Sequence, residues 1–512
     1  MRGDAIRLAA MVALALPLAA CVADGGSSAK AVTSVPGAPV LFPANGARNV
    51  NPDTHLVLTF AGAPAIGASG LIRVYDTADN SLVDTLDMSV PSSPNPNGRS
   101  TATTEAERQA QGQATKMSDY QVNTIEGVDF HFFPIIVRGA TATIYPHNGK
   151  LKYGHSYAVK MDAGVLQAPG GFAGFGEKGW TFTTKLAAPA ADAARLTVAA
   201  DGSGDFNTVQ GALDFAPAKP AKRVTVFVQN GTYEELVYLA DKSNITVRGQ
   251  DRDKVVVTYP NNSALNPPRS GPSRRPAFSI QNSNGVQLQN FTITNSFIGQ
   301  AEALLVRGKE NVIDHMTLNG SGDALTTYGT LYMADSKLTG HGDTILGYAS
   351  LYCLRCELHS IGPFTWTRTP QGSHGNVFVD STFVMIDEPL PWTVSKDNPG
   401  GQRSKAVFAR LPRNGPAGAA NANFPYAEMV LINAKTKGVP PEGWGPVEEA
   451  PGFDSANVHL WEYNTTDMDG RPIDMSQRHP VSKQLTLPKD AETIANYRKP
   501  EFVLGGWKPV IE

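Results

Sequence analysis

Two aspartates stand 20 residues apart in nearly identical surroundings, in Gly322-Asp323-Ala324-Leu325 and Gly342-Asp343-Thr344-Ile345. Each follows a glycine and precedes a short, mainly apolar pair. If the chain coils with a rung of that length, the carboxylates become neighbours about 5 Å apart, because stacked parallel strands lie roughly 4.8 Å from one another. Two carboxylates that close do not both ionise easily: repulsion keeps one protonated while the other stays anionic. A proton donor beside a nucleophile suits acyl or glycosyl transfer. The competing reading is that both aspartates only cap turns after glycine, as Asp often does.

The flanking residues support the coil. Five segments superpose as an apolar residue, one gap, a polar residue, two gaps and a second apolar residue: Leu288–Asn290–Ile293, Ile313–His315–Leu318, Met333–Asp335–Leu338, Cys353–Arg355–Leu358 and Phe378–Asp380–Phe383. Their central residues step by 25, 20, 20 and 25. Repeats of this length, rich in apolar residues and punctuated by Asn, Gly and Ser, point to a parallel β-helix with the apolar positions inside. The column Asp335–Arg355–Asp380 then reads as a surface charge ladder.

The whole chain sets bounds on this reading. Its 512 residues suffice for a large core and two or three domains. With 49 Gly and 37 Pro and moderate charge, a loop-rich, mostly β protein is favoured over a helical one. A net charge of −3 argues against a nucleic-acid binder held by general electrostatics, and an acidic substrate would need a local basic patch. Cys353 and Cys356 form a lone CLRC with no second cysteine pair, so a metal or redox motif is disfavoured. The repeat places them as small core residues. On an extended strand their α-carbons would be about 10 Å apart, beyond disulfide reach.

Residues 1–20 read as an export signal: Arg2 and Arg7, then an apolar run from Leu8 to Ala20 too short to span a bilayer. The run ends in Leu18-Ala19-Ala20-Cys21, which resembles the bacterial lipoprotein cleavage box and implies lipid on Cys21. Ordinary secretion with cleavage nearby is the alternative. Val22 after the cysteine favours outer-membrane sorting, so an outer-membrane or cell-surface lipoprotein of a Gram-negative bacterium is expected. Residues 21–38 form a tether. Residues 39–185 read as a β-sandwich, with strands over His55–Phe60, Gly70–Tyr75, Ala140–Tyr145, Ser156–Met161 and Gly179–Thr183, and they resemble bacterial Ig-like domains. A spacer is favoured there over a carbohydrate-binding module. Ser92–Gln121 is a polar insertion, 186–194 a linker, and 195–512 the coil, opened by a short capping helix within Asn207–Phe215.

In order along the coil stand VAADGSGDFNTVQGALD, NGTYEELV, GQAEALLV, GHGDTILG, PPEGWGP, WEYNTT and PEFVLGGW. Over about residues 195 to 510 this series resembles the pectin methylesterase family. The resemblance implies a right-handed parallel β-helix in an all-β chain, hydrolysis of methyl esters on polygalacturonate, no cofactor or metal, and a substrate groove along the helix flank. It places Asp343 as nucleophile, Asp323 as acid/base, Gln300 as an oxyanion donor and Arg410 as the partner that positions Asp343. Two departures stand out. The family's glutamine before the first aspartate is Gly322, and its tryptophan after the arginine is Pro412. Trp366 and Trp392 are candidate sugar-stacking replacements, and Arg368 a candidate substrate contact, although either tryptophan could be a core or lid aromatic. Arg269, Arg274 and Arg275, in a Pro-rich loop, read as a solvated loop face, with contact to galacturonate carboxylates as the alternative. His341, in GHG, echoes the polygalacturonases, whose other motifs are absent.

The expected protein is therefore an exported, monomeric, lipid-anchored carbohydrate esterase that contacts the membrane only through its anchor. Two rivals remain. One is a glycosidase or lyase on the same scaffold. The other, kept open by Gly322 and Pro412, is a weakened surface protein that binds polysaccharide or cleaves other esters or thioesters.

Overall fold

The computed structural model describes residues 38–96, 116–348, 350–410, 424–445 and 455–512. Cys21, Pro412 and the middle of the polar insertion lie outside the described residues.

The first domain is two antiparallel-rich sheets packed face to face. One orders Val40–Phe42, Leu56–Thr59, Thr141–Ile144 and Ile135–Arg138; the other orders Ala47–Val50, Phe175–Thr184, Ser156–Met161, Leu71–Asp76 and Leu82–Asp87. Alternate residues of Ser156–Met161 and Leu71–Asp76 are buried, as strands with one face on a core require. Leu58 and Ile144 of one sheet meet Val74, Val159 and Trp180 of the other in a common core. The Trp180 indole donates to the Pro43 carbonyl at 2.7 Å, so its single polar atom is satisfied where no water reaches. The five strands expected from the sequence are all present, with ends shifted by a few residues.

From Arg195 the chain coils as a parallel β-helix. Among the described residues, every strand pairing in this part is parallel and joins one rung to the next: Leu304↔Leu325↔Ile345↔Thr365↔Ala409 in one column, and Leu318↔Leu338↔Leu358↔Phe383 in another. The ten apolar positions of the five superposed segments all lie in one buried interior cluster. The polar residue between them turns the corner. Asn290, His315, Asp335, Arg355 and Asp380 have φ of 59, 51, 48, 52 and 51°, and Asn433 and Asn464 continue the series at 54° each. Left-handed backbone is favoured most by Gly, then by Asn and Asp, which explains the composition of the column. The charge ladder is present in part: Nε and Nη2 of Arg355 each reach Asp335 at 2.6 Å, while Asp380 accepts from Asn433.

One expectation is overturned at this corner. Cys353 and Cys356 form a disulfide, with α-carbons 6.0 Å apart. An extended chain is the wrong premise, because the strand Ser350–Leu354 ends just before Arg355, whose left-handed φ folds the chain back toward Glu357–Ser360. Both cysteines are nonetheless interior, as the repeat requires.

The open first end of the coil is covered by a helix, Val209–Phe215. The Thr208 hydroxyl caps it by accepting from the Gly211 amide, and Val209, Ala212 and Leu213 are buried. Both Glu235 oxygens accept backbone amides of its first turn, Val209 at 2.8 Å and Gln210 at 2.9 Å. No helix among the described residues is long and apolar enough to cross a membrane.

The two domains share a core. Leu236, Tyr238, Tyr259, Leu265 and Ala277 of the coil are buried with the apolar side chains of the sandwich. Asp53 of the sandwich accepts from the amides of Asn207 and Thr208 at 2.9 and 2.8 Å. Burial pushes Glu235 up from 4.5 to about 8, the backbone amides opposing. A carboxyl raised by folding contributes stability that is fully present below its unfolded value and is lost as pH climbs through its folded value. His55, held down to about 4 by burial, works the opposite way below 6.5. Thermal melts of Glu235→Gln should therefore lose less stability than wild type between about pH 5 and pH 9. Parallel pH profiles for the two proteins would contradict this.

Candidate active site

The two aspartates lie at equivalent corners of adjacent rungs. Leu325 pairs with Ile345 at the start of their strands, and Asp323 and Asp343 stand two residues before those starts, on rungs whose paired strands lie roughly 4.8 Å apart. The corners are stitched together by backbone: the His341 amide donates to the Gly322 carbonyl at 3.2 Å and the Ala324 amide to the Thr344 carbonyl at 2.9 Å. Asp343 holds a left-handed φ of 47°.

Arg410 reaches Asp343 with two nitrogens, Nε to Oδ1 at 2.7 Å and Nη2 to Oδ2. Such a fork fixes the plane of the carboxylate. Arg410 is brought there by the pairing of Trp366 with Arg410 on the next rung, a contact between residues 44 apart in sequence. Its guanidinium lies 4.5 Å from the Trp366 ring centre, and that of Arg368 lies 3.3 Å from the same ring. Trp366 is thus flanked by two cations and only 7 % exposed, which makes it a wall of the site that supports both arginines. Burial pushes Arg368 down to about 10, with Asp323 and Asp343 opposing, so this cation faces both carboxylates.

Asp323 has a different environment. Its nearest cation is Arg275, Nη2 to Oδ2 at 3.6 Å. That guanidinium is held by Glu302, which is itself buried. Burial first, then the Glu302 charge, pushes the Asp323 carboxyl well above the usual carboxylate range; Arg275 pulls it down and Asp343 adds to the rise. The two aspartates therefore have unlike surroundings: Asp343 is clamped by a bidentate arginine, while Asp323 is a carboxyl pressed to keep its proton.

Gln300 lies with its backbone beside Gly322. Its Oε1 accepts from the buried Ser263 hydroxyl at 2.9 Å, which leaves the Nε2 amide hydrogens as the end to be presented elsewhere. Gly322 has a φ of 87°, and a Cβ built on it would stand 3.7 Å from the Gln300 amide nitrogen. The position is roomy, and the backbone there is one that only glycine adopts without strain. The Trp392 ring lies 5.8 Å from that of His341. His341 Nδ1 lies 3.1 Å from the Ser321 hydroxyl.

The structure brings Asp323, Asp343, Arg410, Gln300, Trp366 and Arg368 into one neighbourhood and sets Trp392 against His341. It corrects the reading of the Pro-rich loop: Arg275 is not on a solvated face but bridges Glu302 and Asp323, and Arg274 donates to the Asp129 carbonyl of the sandwich at 2.9 Å. Sequence reasoning missed Ser263, Arg275 and Glu302. The available signal is Glu302 in GQAEALLV, a charge two residues before the apolar start of the strand Leu304–Asp314. It also missed a stack along the next column, where the Tyr328 and Tyr348 rings lie 4.5 Å apart between Arg307 and Arg368. Among the described residues, Asp314, His315 and Asp335 could converge on a metal, but Asp335 already holds the Arg355 fork.

Residues 195–377 match the pectinesterase family model. Over these residues the chain is similar to pectinesterases. It is 32 % identical over 136 residues to probable pectinesterase 30 of Arabidopsis thaliana, covering 26 % of this chain and 27 % of the relative. It is 24 % identical over 321 residues to pectinesterase/pectinesterase inhibitor 18 of the same plant, covering 61 % of this chain and 54 % of the relative. The chain thus spans between about a quarter and about half of these relatives' length. Among solved structures, pectin methylesterase from carrot is similar at 21 % identity and a TM-score of 0.48, covering 61 % of this chain and 93 % of that one. Pectin methylesterase PemA from Erwinia chrysanthemi is similar at 19 % and 0.47, covering 62 % and 98 %. The pectinesterase match begins at the first strand of the coil, so the sandwich lies outside it.

Proposed function

We propose that the coil is an esterase that removes methyl groups from esterified polygalacturonate, with Asp343 as nucleophile and Asp323 as acid and base. The observation that carries this reading is the contrast between the two carboxyls: Asp343 held by the Arg410 fork, Asp323 only partly exposed beside Arg275 and the Glu302 charge. Asp343 attacks the ester carbonyl carbon, and the tetrahedral oxyanion accepts from the Gln300 amide, which Ser263 orients. The C–O bond to the methoxy group breaks as Asp323 gives up its proton, releasing methanol and leaving an anhydride on Asp343. Asp323, now ionised, takes a proton from water. The hydroxide so formed attacks the galacturonyl carbon and frees Asp343 and the acid product. Gly322 removes one side-chain donor, and loss of one such donor costs about 10²–10³ in rate, so a slower enzyme than its relatives is expected.

The test is methanol release from methylated pectin, run beside a short-chain acyl ester and an acyl thioester. Methanol from pectin as the fastest reaction supports the reading. Reducing ends or unsaturated products would shift it to a glycosidase or lyase, and faster turnover of the acyl ester or thioester to another esterase. We further propose export and a lipid on Cys21, on the strength of the Leu18–Cys21 box. Cys21→Ser should then move the protein from the membrane fraction to the soluble one, and an unchanged distribution would rule the anchor out.

A further inference from the structure

We propose that the N-terminal sandwich is a positioning element of the catalytic centre, acting through Asn266 and the loop 261–277 rather than serving as a spacer. This rests on the esterase reading only for its activity readout. The loop touches the sandwich on one side and the site on the other. On the sandwich side, the His131 amide donates to Asn266 Oδ1 at 2.8 Å and Asn266 Nδ2 donates to the His131 carbonyl at 2.9 Å. This reciprocal pair is the bonding a β-strand would offer, made by a side chain. Arg274 adds its bond to the Asp129 carbonyl.

From Asn266 the chain of bonds runs inward without a break. Its Nδ2 also donates to Asn261 Oδ1 at 2.9 Å, and Asn261 Nδ2 donates to the carbonyls of Arg274 and Pro276 at 2.7 and 2.9 Å. Those carbonyls flank Arg275, which holds Glu302 and faces Asp323. Asn295 closes the back of the loop, accepting from the Asn261 amide and donating to the Glu302 carbonyl. Ser263, in the same turn, orients Gln300. Asn261, Ser263 and Asn266 are no more than 2 % exposed. Buried amides are costly unless every one is bonded. A spacer needs only apolar contact; this docking face instead carries a directional network that ends at two site residues. Moving the sandwich end of the network moves Arg275 and Ser263 together, and small misplacements near the reacting atoms lower rate steeply.

Removing Arg275 or Glu302 would leave the other charge buried alone, which endangers the fold, so the test is made at Asn266, which touches no substrate. Asn266→Ala in the full chain should lower kcat about tenfold with KM nearly unchanged. Asp323 is faced by Glu302, Arg275, Asp343 and Arg368; with Arg275 displaced, its titration should move to higher pH, read by carboxyl carbon NMR and assigned with Asp323→Asn. Ser263→Ala should cost much less in the Asn266→Ala background than alone, because the two act in series. If Asn266→Ala does not fold, Asn266→Asp, which keeps the acceptor for His131 and loses both donors, and Arg274→Ala carry the same measurements. A folded variant with unchanged kcat and an unmoved Asp323 titration overturns the proposal, as do strictly additive effects. The NMR arm needs no turnover, so a wild type inactive on pectin would count against the esterase reading and leave this inference to be judged by the titration.

Discussion

Asp343→Asn is expected to lower methanol release by about 10⁴-fold or more while leaving the coil intact, since loss of a catalytic nucleophile typically has effects of this order. The substitution suits the site. Asp343 sits at a φ of 47°, a conformation that Asn tolerates better than most residues, so the corner should keep its shape. Asn Oδ1 can still accept from Arg410 Nε, so the arginine keeps its place while the attacking oxygen loses its charge. The rung itself is held by backbone pairing of Leu325 with Ile345 and by interior side chains, none of which uses the carboxylate. Binding of a methylated oligogalacturonide should therefore survive, and calorimetry on the variant separates binding from chemistry. Turnover at the wild-type rate in a folded variant would remove Asp343 from the mechanism.

The coil is legible because its repeat is written in three ways at once. Leu338, Leu358 and Phe383 fill one interior column, Asp335, Arg355 and Asp380 turn the corners, and the aspartates recur at the same interval. A sequence repeat fixes which residues are one rung apart, so the spacing alone pairs Asp323 with Asp343. It says much less about residues several rungs apart or in another domain. The contact of Arg410 with Asp343 follows from the family resemblance instead, since 67 residues separate them. The Cys353–Cys356 bridge escapes any reading that assumes extended backbone through Arg355, the very residue that bends. Arg275, Glu302 and Ser263 escape for a different reason. A Pro-rich loop with three arginines reads as solvated until the sandwich is placed over it, and nothing in the local sequence states that the two domains share a core.

Asp323→Asn should separate the two half-reactions, and this carries the second large effect. The carboxamide resembles the protonated acid in shape but can neither give a proton nor take one. With a methyl ester, the leaving oxygen is strongly basic and needs that proton, so methanol release should fall by roughly 10²–10⁴-fold. With an aryl ester the leaving phenolate needs no help, and attack by Asp343, still clamped by Arg410, can proceed. Hydrolysis of the resulting anhydride then lacks its base. A burst of one phenolate per protein followed by slow turnover is the expected trace, and mass spectrometry should find the acylated chain. The pH dependence gives an independent check. Burial and the Glu302 charge hold the Asp323 proton to higher pH than an ordinary carboxyl, so wild-type methanol release should decline as pH rises through that raised value, with apparent constants belonging to the pair. The residual activity of Asp323→Asn should lack that decline. A variant that loses phenolate and methanol release in equal measure, with no burst, would mean that Asp323 serves the attack step itself and that the division of labour between the two carboxyls is wrong.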